Sequence, residues 1–187
     1  MSMPSSVKLS DTSLKLKKAV IIAIFSAVAV VLGILESLLP TQLIIPGAKL
    51  GLANIMVLTC LYFLKGRDAF ALVILKTLLM TLLLGTFSAF LFSFLGALFS
   101  FIVMYGLMKI GRGHISLLGI SVVGGVAHNI GQLTAAVIVF KTSKIFYYLP
   151  PLMLLGVVTG IFIGIAVKYV VASLSKLSIF EPFVPEN

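Results

Sequence analysis

The sequence predicts an all-α integral membrane protein: six transmembrane helices in one compact bundle, with both termini cytoplasmic. Three observations predict it. Of the 187 residues, 60% are hydrophobic and only 10% are charged, with a mean hydropathy of +1.24. That is more apolar surface than a soluble domain of this length can hide. The apolar residues gather into six runs, each read as a spanning segment. The cations sit between those runs and are unevenly shared between the two sides.

Residues 1–18 form a polar, basic tail with Lys8, Lys15, Lys17 and Lys18. The apolar run that follows is long and ends without a cleavage-site pattern, so an uncleaved tail is expected rather than a signal peptide. The membrane domain is expected over 19–172 and a second tail over 173–187. The first run is about Ala19–Leu39, with Ala19, Ala23 and Ala27 on one stripe that lets a partner helix come close and Glu36 near its far end. A loop over 40–48 carries Pro40, Gln42 and Pro46. The second run is about Lys49–Leu64, followed by the polar turn Lys65–Asp68. The third is about Ala69–Leu84 and is interrupted by Lys76. The fourth, about Phe87–Met108, is rich in Phe, with small residues at Ser93, Gly96, Ala97 and Ser100. The fifth is about Leu117–Phe140 and the sixth about Pro150–Ala172.

With the N-terminus inside, one side collects Lys8, Lys15, Lys17, Lys18, Lys65, Arg67, Lys109, Arg112, Lys168 and Lys176. The other side has Lys49, Lys141 and Lys144. The formal charge of +9 therefore reads as loop anchoring and not as a nucleic-acid face. Cys60 stands alone in an apolar run, and the histidines are His114 and His128, so neither a disulfide nor a metal site is expected.

Three polar groups interrupt the apolar pattern. The stretch Pro46–Asn54 places Pro46 at the start of a helix and Lys49 in its first turn, with Gly47, Gly51 and Asn54 on one stripe. A cation at that end is unfavourable unless an anion joins it. The bland alternative is a lysine that snorkels to the membrane surface. Lys76 lies midway along a span, where a charge costs about 3 kcal/mol on insertion scales and needs a partner. That partner is either Glu36 or an anionic ligand, with Thr77 and Thr81 nearby. His128, Asn129 and Gln132 share one broad face of the fifth run. They either contact a ligand or bond between helices. Gly156, Gly160 and Gly164 make a close-packing stripe, and Tyr147 and Tyr148 belong to an interfacial aromatic belt or cover a ligand.

Enzyme chemistry is not expected. There is no Walker A sequence. The aspartates are only Asp11 and Asp68, far apart, so no acidic cluster is available to hold Mg²⁺ against a diphosphate.

Four segments together carry a family resemblance: PGAKLGLAN at 46–54, LLGTFSAFLFSFLGALFS at 83–100, GVAHNIGQL at 125–133 and YYLPPLMLLGVVTG at 147–160. They resemble the Gx transporter family, also labelled heptaprenyl diphosphate synthase component I, over nearly all of residues 19–172. That family resembles the S components of energy-coupling factor (ECF) transporters. The resemblance implies a six-helix protein of the prokaryotic plasma membrane, not an enzyme, that captures a vitamin-like nutrient from outside without a cofactor. It also implies partners: a T component, docked on the Ala19, Ala23 and Ala27 stripe, and two ATPase subunits. The 40–48 loop would close over the ligand. Lys49, Asn54, Lys76, His128, Asn129 and Gln132 are the candidate substrate-binding residues. The rival is an accessory subunit of isoprenoid or quinone metabolism that binds a prenyl diphosphate or quinone precursor.

Overall fold

The computed structural model of the chain describes residues 5–39, 49–84, 87–111 and 114–185. Six α-helices are present among them: α1 Ser5–Ser37, α2 Asn54–Phe63, α3 Gly66–Leu84, α4 Phe87–Gly111, α5 Leu117–Phe140 and α6 Leu149–Leu174. No strand is formed among the described residues. Four segments are long and apolar enough to cross a membrane: Asp11–Ser37, Phe87–Gly111, Leu117–Phe140 and Ser143–Leu174. The 19 residues of α3 have the length, but Arg67, Asp68 and Lys76 dilute its apolar character.

The second run departs most from expectation. Helix α2 has 10 residues, about half of a ~30 Å hydrocarbon layer at 1.5 Å per residue. It starts at Asn54 rather than Lys49, because Gly51 takes a left-handed φ of 81°. That conformation suits glycine and ends any helix from the N-terminal side. Residues 49–53 are therefore a strap and not a first helical turn. Pro46, Gly47, the 40–48 loop and Arg112 lie outside the described residues.

Helices α4, α5 and α6 pack as consecutive antiparallel neighbours, α3 lies against α1 and α4, and α2 touches α1, α3, α4 and α6. Glycine sets the tightest of these contacts. A Cβ on Gly125 would stand 2.5 Å from the Gly156 carbonyl oxygen, and one on Gly160 would stand 2.6 Å from the Val122 Cα. Backbone thus meets backbone across α5 and α6, the small-residue packing that lipid-embedded helices use. Ser116 caps α5 by accepting from the Gly119 N–H at 3.1 Å. Pro150 and Pro151 open α6, where their missing N–H groups cost nothing.

The main core lies between α1, α2, α3 and α6 and includes Ile21, Phe25, Val57, Leu58, Leu72 and Val167. Part of the segment that reads as a tail from 173 also belongs to it. Phe180 is buried, its ring 5.8 Å from that of Phe25 and 4.8 Å from that of Phe63. Nearby, the Lys18 ammonium lies 3.7 Å from Asp68 and 5.9 Å from the Phe183 ring centroid. Ala19, Ala23 and Ala27 all lie on an exposed face of α1, beside Val20, Ile24 and Val28.

Candidate functional site

At the end of the bundle opposite Lys18 and Phe180, six elements bring polar groups together: α1, the strap, α2, α3, α4 and α5. The strap is fastened at three points. Both Glu36 oxygens accept backbone N–H groups, from Gly51 at 2.6 Å and from Leu52 at 3.2 Å. The Lys49 N–H donates to Gln132 Oε1 at 3.1 Å, and the Lys49 ammonium donates to Ser93 Oγ at 2.6 Å. One carboxylate, one amide and one hydroxyl from α1, α5 and α4 thus fix five irregular residues. Free backbone N–H groups inside an apolar bundle would each cost about 1–3 kcal/mol, and Glu36 removes two of them.

Below the strap, Asn54 stands at the first turn of α2. It accepts from the Lys76 ammonium at 3.4 Å, donates to Ser100 Oγ at 3.3 Å and lies 3.3 Å from His128 Nδ1. The Gln132 Nε2 faces His128 Nε2 at 3.1 Å. A neutral imidazole accepts at only one nitrogen. Asn54 has Ser100 as an alternative acceptor, so the network assigns the acceptor role to Nε2 and the proton to Nδ1. His128 is then neutral.

Of these side chains, Lys76 and His128 border a cavity of about 40 Å³ whose walls also include Glu36, Lys49, Thr77, Met80 and Ser93. Lys76 is 6% exposed and Glu36 is 4% exposed. The structure therefore brings Lys49, Asn54, Lys76, His128 and Gln132 into one cluster. It separates Asn129 from them. The Asn129 side chain turns to α6 and donates to the Leu152 carbonyl at 2.6 Å, beside Gly156. Thr77 lines the cavity but donates to its own helix, at Val73 O. Tyr147 and Tyr148 are exposed in a short 3₁₀ turn, Ser143–Tyr148.

Ser93 and Ser100, read from the sequence as small packing residues, supply hydroxyls to the cluster. Their spacing of seven, two helical turns, places both on one face of α4. Glu36 pairs with backbone N–H groups, so the two alternatives of the sequence, Glu36 or a ligand as the partner of Lys76, are not equally served. Among the described residues the ion pairs are Lys15–Asp11 and Lys18–Asp68, both remote from the cavity. No three His, Cys, Asp or Glu side chains converge among the described residues. The donors at the cavity are ammonium, amide and hydroxyl groups, which suit an anionic or polar organic guest better than a metal.

Apolar helices around a buried, charged cavity define an α-helical membrane protein with an internal polar site. Residues 25–170 match the family model described as heptaprenyl diphosphate synthase component I, and the chain belongs to that family. Comparison with curated proteins and with solved structures gave no match.

Proposed function

We propose that the protein is the substrate-binding subunit of an ECF-type importer, capturing a small vitamin-like nutrient from outside the cell. The observation that carries this reading is the cavity beneath the strap. Two lysines, two amides and a histidine sit within an apolar bundle, where unused charge is expensive. In this reading α2 and α3 complete six passes through a prokaryotic plasma membrane. Both termini are cytoplasmic in this reading, which the lysine-rich Lys18 end supports through the positive-inside bias, and the strap faces outward. The protein performs no chemistry itself. A T component docks on the exposed Ala19, Ala23 and Ala27 face of α1, and two ATPase subunits drive transport.

The test is co-purification from native membranes, followed by native mass spectrometry. Wild-type protein is expected to bring down a T component and ATPases, and Ala23→Leu is expected to lose them while keeping any co-purified small molecule. Loss of neither, or of both together, overturns the division between docking and capture.

The family's printed description favours a second reading, a membrane accessory subunit that binds a prenyl diphosphate or quinone precursor. Lys49 and Lys76 would then face the diphosphate. Co-purification of a prenyl synthase subunit with a bound isoprenoid lipid would select it.

A further inference from the structure

The charge balance of the cavity narrows the guest, given the capture reading above. Lys49 and Lys76 line the cavity along with a single acid, Glu36. Both Glu36 oxygens are engaged by Gly51 and Leu52 N–H groups, and His128 is neutral by its hydrogen bonds. Two cations and one anion leave a single positive charge in excess inside the bundle. Each ammonium has three donors, and among the described residues their side-chain bonds are one to Ser93 and one to Asn54, the latter long at 3.4 Å. Among the described residues, Lys76, more than nine-tenths buried, has no carboxylate within ion-pair distance, and Glu36, on the wall of the same cavity, is held by the two strap amides.

Size adds a second limit. A volume of about 40 Å³ is room for about three waters at the ~10–15 Å³ that each requires. That is enough for the head group of a small ligand. A shallow crevice continues past Lys49 and Ser93 and is walled by Met80, Ala89 and Phe90. Phe90 in turn stacks on Phe94 with ring centroids 5.6 Å apart. The head-group space is lined by both lysines, and Met80, Ala89 and Phe90 give the adjoining wall an apolar, aromatic side.

We infer that the cavity takes the carboxylate of a monoanionic organic acid, held between the Lys49 and Lys76 ammonium groups, with the acid's apolar body lying along Met80, Ala89 and Phe90. A single carboxylate neutralises the excess charge. A diphosphate, with two or more negative charges, would leave buried negative charge unbalanced.

The test uses the full-length protein in detergent and fluorine NMR with 4-fluorobenzoate as the probe. The neutral 4-fluorobenzyl alcohol and inorganic diphosphate serve as controls. The expected result is saturable binding of 4-fluorobenzoate to the wild type, weakened about tenfold or more by Lys76→Met and by Lys49→Met. The alcohol should bind correspondingly more weakly, and diphosphate should not displace the acid. Unfolding temperatures of both variants establish that they are folded. The inference is overturned by absence of saturable 4-fluorobenzoate binding to the wild type. Undiminished binding in folded Lys76→Met protein, or displacement by diphosphate, overturns it equally. If a T component and ATPases still co-purify with the wild type, those outcomes discard the carboxylate and leave the capture reading standing. Loss of that co-purification in the wild type discards the capture reading instead.

Discussion

The two sides of α5 solve the problem of polarity inside a membrane in opposite ways. Toward α6 the helix is slim and closed. Gly125 meets Gly156 backbone to backbone, and the polar side chain there, Asn129, has a short bond to the Leu152 carbonyl. Toward α4 and the strap the helix presents His128 to a cavity that is also lined by Lys49 and Lys76, and Gln132 joins His128 to the strap. Polar groups on the first side tie helices together. On the second they surround a space, with bonds of 3.1 Å from Gln132 to His128 and 3.4 Å from Lys76 to Asn54. The contrast teaches that a buried polar residue in a membrane helix is read by what it faces, and not by its burial. Asn129 and Gln132 are both 2% exposed.

The comparison breaks most sharply at Gly160. A Cβ there would stand 2.6 Å from the Val122 Cα and 2.9 Å from the Ser121 carbonyl oxygen. Neither is the end of a flexible side chain, so the helices themselves must separate. Gly160→Leu is expected to destabilise by about 3 kcal/mol or more, seen as loss of monodisperse protein on gel filtration and a much lower unfolding temperature. Normal stability would mean that the α5–α6 contact is not close-packed.

Asn129→Ala is a smaller probe of the same side. It removes one interhelical bond, and a loss of about 1 kcal/mol is expected. Binding of 4-fluorobenzoate should not change. A tenfold loss of binding with intact stability would place Asn129 functionally with His128 and Gln132.

The smallest effect on folding is expected at Lys76. Its charge is unfavourable in the membrane interior and its one side-chain bond is long, so Lys76→Met should leave the unfolding temperature unchanged or raise it. A large fall would show that the ammonium holds the bundle together and is not kept for a guest.

Much of this division is legible in the sequence. Six helices, the isolated charge at Lys76 and the four-residue spacing of His128 and Gln132 follow from composition and periodicity. The different setting of Asn129 is angular. At about 100° per residue, Gln132 lies about 40° around the helix from His128, while Asn129 lies about 100° away. Two neighbouring helices divide that arc, and no sequence pattern states where the boundary falls. The helical start at Lys49 was misread because Gly51 has two meanings, a close-packing residue within a helix and a left-handed residue that stops one. Glu36 decides between them from another helix, through a contact that local propensity does not contain. Ser93 and Ser100 were hidden for a related reason: small residues on a membrane helix serve packing and hydrogen bonding alike.

The Phe180 segment and the strap act on α1 from opposite ends. Near one end, the Phe180 ring lies against Phe25 and Phe63 while Lys18 reaches Asp68. At the other, Glu36 grips two backbone amides. In mechanical terms α1 is a beam held at two stations, Lys18–Phe25 and Glu36, with its alanine face exposed on the side away from both. A sideways load on that face is therefore resisted by a ring that must be pulled from its slot or a carboxylate that must let go of its amides, and the strap over the cavity feels any tilt that the beam takes.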